Sequence, residues 1–225
     1  MSARGVKRDM RLFAITRMHG IRFLWLIFIL APTTLAQSPS PCFPRGSFSS
    51  TPRWDQDEGK YFARQLQLLG EPCLFELRGD PKAEIYRFLW RRSFHPPVSV
   101  RLDIEADGSG KVTVTTMKGE SGFPSSLKGP PSTTSRLVGV EEVARFRELF
   151  RKTGFMTIPS TVRGDQQGTD GSDWRIEAVV GGHYHMASRW SPKDSRGPGK
   201  EAIAELGKAL AFEIGKFQVD PREIY

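Results

Sequence analysis

The strongest constraint on the fold is a stretch of strict alternation. Val98, Val100, Leu102 and Ile104 alternate with Ser99, Arg101, Asp103 and Glu105, and Val112 and Val114 resume the apolar face after Asp107-Gly108-Ser109-Gly110. A period of two with turn chemistry in its middle is a β-hairpin with one buried face. Keeping that face on one side requires a loop of odd length, with Ile104 facing Val112.

A second hairpin runs from Trp174 to Trp190 and turns at Gly181-Gly182. Tyr86, Phe88 and Trp90 alternate with Arg87, Leu89 and Arg91, which adds a separate strand ended by His95-Pro96-Pro97. Three segments carry helical spacing instead. Asp57 is placed to cap a helix reaching Leu69, with Tyr61, Phe62, Gln65, Leu66 and Leu69 along it. Val143, Phe146, Leu149 and Phe150 stripe a second helix over 140–152, with acids in its first turn, bases in its last, and Gly154 beyond. Ile203, Leu206, Leu210 and Ile214 stripe a third over 200–214. Gly/Pro/Ser-rich residues 119–136 read as a long loop. The expected fold is α+β: an antiparallel sheet of two hairpins plus an extra strand, packed on one face by about three helices.

The N-terminus has a different character. Arg4, Lys7, Arg8, Arg11, Arg17 and Arg22 precede an unbroken apolar run from Phe23 to Ala31, then Pro32 and the small-residue site Thr34-Leu35-Ala36. Basic, apolar and small in that order is the pattern of a cleavable export signal, so residues 1–36 read as a signal peptide cut after Ala36. The run is far short of the roughly 20 residues that span a bilayer, so no membrane span is expected once the signal is removed. Residues 37–53 are rich in Ser and Pro and read as an extended tether, 54–217 as one domain, and 218–225 as a C-terminal tail.

Export changes the meaning of the composition. The net charge of +8 falls to +3 without residues 1–36, which argues against nucleic acid as a partner. Both cysteines, Cys42 and Cys73, follow the signal, and in an oxidising compartment they are expected to pair. The expected location is periplasmic or secreted.

The candidate chemistry is sparse. If the second hairpin turns through the three residues Val180-Gly181-Gly182, Trp174, Ile176 and Ala178 share an apolar face with Tyr184, Met186 and Trp190. His183 and His185 then share the other face with Glu177, and Glu177 stands opposite His185. Two imidazoles and a carboxylate could hold zinc and support a metal-dependent hydrolase. Arg175 and Arg189 on that face would oppose a cation. Asp165, Asp170 and Asp173 lie in a Gly-rich stretch whose composition fits turns better than a calcium loop. Ser121 in Gly119-Glu120-Ser121-Gly122-Phe123 lacks the final glycine and the strand-to-helix setting of a nucleophile elbow. No catalytic residue is assigned and no resident cofactor is expected.

Two blocks carry a resemblance. Tyr86-Arg87-Phe88-Leu89-Trp90 leads to Ser93-Phe94-His95-Pro96-Pro97-Val98-Ser99-Val100-Arg101-Leu102, and Asp170-Gly171-Ser172-Asp173-Trp174 leads to Tyr184-His185 and Arg189-Trp190-Ser191-Pro192. Over about residues 71–215 the chain resembles a family of small exported bacterial proteins without an assigned activity. The resemblance implies a bacterial envelope or secreted protein and assigns no role to any residue. The expected function is a non-enzymatic binding or interaction domain, with another envelope or secreted protein as a partner. The alternatives are the hydrolase just described and a periplasmic inhibitor or immunity protein.

Overall fold

The computed structural model describes residues 41–162, 168, 170–193 and 196–225. Residues 1–36, with the expected cleavage point, lie outside them, as does Asp165. Six strands form one antiparallel sheet in the order β4-β3-β2-β1-β5-β6. They are β1 (Glu84–Arg92), β2 (Val98–Ile104), β3 (Gly110–Gly119), β4 (Leu127–Val138), β5 (Ser172–Val180) and β6 (His183–Trp190). The helices are α1 (Pro52–Leu68), α2 (Val140–Thr153) and α3 (Lys200–Lys208), the last continuing as a π-helical segment over Ala209–Ile214. The α+β class and the antiparallel sheet are those the alternation called for.

The first hairpin turns through residues 105–109, an odd loop as expected but two residues shorter than the expected pairing of Ile104 with Val112 requires. Ile104 pairs with Gly110, which places Leu102 opposite Val112 and Val100 opposite Val114. One face of the sheet is then apolar. Tyr86, Phe88, Trp90, Val100, Leu102, Trp174 and Ile176 meet Val143, Phe146 and Phe150 of α2 and Ile203, Leu206, Leu210 and Ile214 of α3 and its extension. Gly207 lets α3 approach this closely, since a Cβ there would lie 2.7 Å from Trp174 and 3.1 Å from Phe88. Gly154 takes the left-handed conformation (φ 60°) that closes α2, as its position after the stripe suggested.

The layering differs from expectation. Only α2 and α3 lie on that face; α1 packs on the opposite one, where Phe62, Leu66 and Leu69 meet Leu89, Met117 and Met186. The central strand β1 is therefore covered on both sides, and its alternating arginines do not face water: Arg87 is fully buried and Arg91 nearly so. The charges that alternate with the apolar residues of β1 have partners inside the fold.

Three further segments are more ordered than composition implied. Within residues 119–136, Leu127 onward forms β4, with Pro130 and Pro131 on the outer edge of the sheet, where a missing N–H breaks no ladder. The pairing shifts between Thr116 and Lys118 to absorb them. Residues 41–51 of the expected tether form a strap over the second face. Phe43 is buried, Phe48 stacks on Phe62 at 5.3 Å, and Cys42 is bonded to Cys73. The helix starts at Pro52 rather than near Asp57, and Asp55 in its first turn binds the strap. Its carboxylate accepts from the backbone N–H groups of Gly46 (2.7 Å) and Phe48 (2.9 Å). The tail also docks: Val219 and Ile224 pack against the main core, and the Tyr225 carbonyl accepts from Ser172 and from Trp174 Nε1.

Candidate functional site

The second hairpin decides which residues can act together. Val180 pairs with His183, so the loop is the two residues Gly181 and Gly182, both with positive φ (56° and 81°). Glycine alone takes two such conformations in succession without strain, and this turn matches the twist of the strands. The register consequently differs by one residue from the three-residue loop expected. Glu177 stands opposite Met186, and His185 stands opposite Ala178. A shift of one residue moves a strand's whole set of side chains to the other face. His183 and His185 lie on the α2/α3 side, and Glu177 lies on the α1 side.

The metal site inferred from sequence is thereby dismantled. His183 is exposed near the turn. His185 Nε2 bonds the Ile158 carbonyl at 2.8 Å, and its ring meets Phe155 edge-on. Burial holds its pKa below the ordinary histidine value, against the opposing pull of that carbonyl bond. Among the described residues, no group of three His, Cys, Asp or Glu side chains comes together to hold a metal ion.

Glu177 instead anchors a buried charge network on the α1 face. Arg87 donates from Nε and Nη2 to its carboxylate, with Nη2 2.8 Å from both oxygens, and from Nη1 to the Pro72 carbonyl at 2.6 Å. Tyr184 donates its hydroxyl to the same carboxylate at 2.9 Å. Burial and then the nearby Glu177 charge push the Tyr184 hydroxyl pKa well up. Glu71 sits between Arg87 and Arg101, 2.8 Å from Arg101 Nη1. Every donor of Arg87 is matched, which is the condition under which buried ions are tolerated. Burial would lower the Arg87 pKa, but Glu177 and Glu71 outweigh it and raise it.

Arg175, next along β5, is placed differently. It is also fully buried, with its guanidinium carbon 3.4 Å from the Phe62 ring centroid, 4.9 Å from that of Phe48 and 5.6 Å from that of Phe43. Nη2 donates to Asp173 at 3.2 Å. Among the described residues, Nε and Nη1 have no hydrogen-bond partner. Burial lowers its pKa despite Asp173 and Glu177. A buried donor left unmatched costs about 1–3 kcal/mol, and more on a charged group, so such atoms in a native fold call for an explanation.

Arg175 lines a cleft of about 700 Å³ at the Trp190 end of the β5–β6 hairpin. Phe48, Ser49 and Ser50 of the strap form one wall, Glu58 and Phe62 of α1 another, and Asp173, Ser188 and Trp190 the floor, with Thr161 and Val162 at the rim. Ser188 donates to Asp173, whose other oxygen takes Arg175. Glu58 is half-buried, and burial raises its pKa against the opposing charge of Arg91. The lining joins aromatic side chains (Phe48, Phe62, Trp190) to charged ones (Glu58, Asp173, Arg175, Arg189) in a partly open cleft.

In the sequence alone Arg175 stands only as a deterrent to a cation and Asp173 only as a turn residue. What it lacked was the strap, because a Pro/Ser-rich segment gives no sign that Phe43 and Phe48 return to the sheet. His95 bonds Tyr225 through Nδ1 at 3.0 Å, and Ser121 sits in a local hydroxyl pair with Ser126. No family model matches the chain, and no curated protein aligns with it significantly. No helix among the described residues is long and apolar enough to cross a membrane.

Proposed function

We propose that the protein is an exported bacterial binding domain, stapled by its disulfide, whose recognition site is the cleft between strap, α1 and the β5–β6 hairpin. The observation that carries this reading is Arg175, a buried guanidinium kept unmatched on two nitrogens at the wall of a cleft. Arg87, by contrast, has every donor taken, and Arg92 leaves one nitrogen, Nε, without a hydrogen-bond partner among the described residues. The Cys42–Cys73 bond supports an oxidising compartment, and the basic–apolar–small order of residues 4–36 supports export. The site holds and orients a ligand; Ser188 and Asp173 form a hydroxyl–carboxylate pair without an imidazole beside them to activate a nucleophile. The ligand belongs to the envelope or to the medium outside it.

Two measurements test the reading. The mass of the protein recovered from the periplasm or medium is expected to begin at Gln37; an intact N-terminus retained in the cytoplasm would end the export part. Ligand screening by NMR is expected to give hits that shift Ser49, Ser188 and Trp190 together. A screen whose hits leave those residues unmoved would remove the cleft as the site.

A further inference from the structure

The sheet has two edge strands, and the chain treats them differently. Along β6, residues 158–160 run beside the strand. Ser188 donates its N–H to the Ser160 carbonyl at 3.1 Å, and His185 and Arg189 bond the carbonyls of Ile158, Pro159 and Ser160. Among the described residues, β4 pairs with β3 alone, and no other backbone bond reaches its outer edge. Its first half carries the devices that keep an edge unpaired, Lys128, Pro130 and Pro131. Its second half does not. Ser132, Thr133, Thr134 and Ser135 are exposed and uncharged, and Leu137 is 82% exposed. Arg136, the one charge in that span, is turned onto Glu142 and the carbonyls of Ile214 and Leu137. A bare, uncharged edge of this kind is a template for another strand.

Charge along the edge selects which strand. At the Leu127 end stand the exposed Lys118 and Lys128, with Glu120 3.5 Å from Lys128. At the Val138 end stand Glu105 and Asp107 of the β2–β3 turn and Glu141 of α2, all exposed, with Lys111 opposite Leu137. The edge is thus basic at one end and acidic at the other, and a second copy laid antiparallel brings unlike ends together. Symmetry then fixes the register. Residues directly opposite share a face, and a two-fold axis through the sheet does not exchange faces, so one residue must face its own copy. The proline-free span Ser132–Val138 is centred on Ser135. Centring there sets Thr133 opposite Leu137 of the partner subunit and Thr134 opposite Arg136 of the partner subunit.

We propose that the protein self-associates as a two-fold dimer through β4, with Ser135 on the axis, so that two six-stranded sheets become one continuous sheet. The cleft lies at the opposite edge, on the β5–β6 hairpin, and stays open in this dimer. So short a strand contact buries less than the roughly 1,200 Å² of a standard interface, so the dimer is weak, with a Kd of about 100 μM. Salt weakens it further by screening the charged ends.

Sedimentation equilibrium of the purified, oxidised mature protein, from about 10 μM to about 1 mM, is expected to show the mass rising from one chain toward two. Ser135→Lys sets like charges face to face on the axis and is expected to raise the Kd about tenfold or more. Because Ser135 also bonds Thr113 at 3.2 Å, cross-linking gives a second measurement. Ser135→Cys is expected to form an intermolecular disulfide under mild oxidation, whereas Leu137→Cys, whose two copies lie roughly 14 Å apart in this register, is not. Lys118→Glu with Lys128→Glu is expected to weaken the dimer several-fold, and adding Glu105→Lys with Glu141→Lys to restore it, since both ends are then reversed. A chain that stays monomeric at the highest concentration overturns the inference and leaves the edge to a strand of another protein. A dimer indifferent to Ser135→Lys or to reversal of its lysines overturns it too, as does cross-linking at Leu137 ahead of Ser135.

Discussion

The two faces of one sheet reach the same degree of burial by opposite means. Toward α2 and α3 the strands present aromatic and aliphatic side chains, and stability follows from area removed from water and from close packing. Toward α1 the same strands present Arg87, Glu177, Arg175, Asp173 and Ser99, where each charge or hydrogen bond left unmatched carries a cost. The first face tolerates substitution in proportion to volume. The second depends on each group separately: Arg87 has every donor matched, while among the described residues Arg175 keeps two nitrogens, and Ser99 its hydroxyl, without a hydrogen-bond partner. The lesson is that a polar face is buried group by group, through its partners, whereas an apolar face is buried by area and packing.

The largest effects should come from breaking a matched pair. Glu177→Leu leaves Arg87 buried without its main partner and is expected to cost about 3–5 kcal/mol in urea unfolding. Adding Arg87→Met should recover most of that loss, since an apolar pair of similar volume replaces the ions. Phe146→Ala on the other face should cost a similar 3–5 kcal/mol, without any such second-site remedy. A double variant as unstable as Glu177→Leu alone would mean the two faces do not differ in kind.

Removing the staple comes next. Cys42→Ala with Cys73→Ala opens a loop with a sequence separation of 31 and is expected to cost about 3–4 kcal/mol. Proteolysis of the variant should cut first within residues 41–51, sharpening the α1 face into strap and sheet. Gly207→Ala inserts a methyl against Trp174 and is expected to cost about 1–3 kcal/mol through overpacking.

The smallest effects have opposite signs on the two faces. His185 has its pKa lowered by burial, with Arg189 nearby adding to the shift. The unfolded chain then takes the proton first, so stability falls as pH drops through the unfolded value of 6.5. Glu58, among Arg91, Asp173, Arg175 and Asp57, has its pKa raised by burial. The folded chain takes that proton first, so this contribution improves as pH falls from neutral toward 4.5. Unfolding curves of His185→Gln and Glu58→Gln across that range should flatten the profile in opposite directions. Parallel changes would contradict the assignment of the two groups to their surroundings.

What the sequence made legible was whatever depends on local period. Val98–Ile104, the stripe of α2 and the stripe of α3 are all where alternation or helical spacing put them. What it hid depends on contacts between distant segments. Arg87 and Arg91 looked like an exposed face because nothing nearby in sequence neutralises them; Glu177 is ninety residues away from Arg87. Strand β4 was concealed by Pro130 and Pro131, whose presence marks an edge rather than a loop. The strap was concealed by the same composition. The hairpin register turned on whether Val180 belongs to the turn, a matter of parity that two glycines leave open, and that one residue separated a metal site from a charge network. The cleft could not be read at all, since its walls come from residues 48–62, 161–162 and 173–190.

The disulfide has a consequence for the order of events. Cys42 and Cys73 both precede β1, and the chain between them holds α1 and none of the strands. Closing that loop demands no strand pairing, so oxidation can run ahead of the slow step of a six-stranded antiparallel sheet, the search for long-range register. With two cysteines in the sequence there is also no wrong partner to undo. A chain emerging N-terminus first into an oxidising compartment would thus present a finished strap and helix before the strands that must dock beneath them exist, a preformed lid on which the sheet is then assembled.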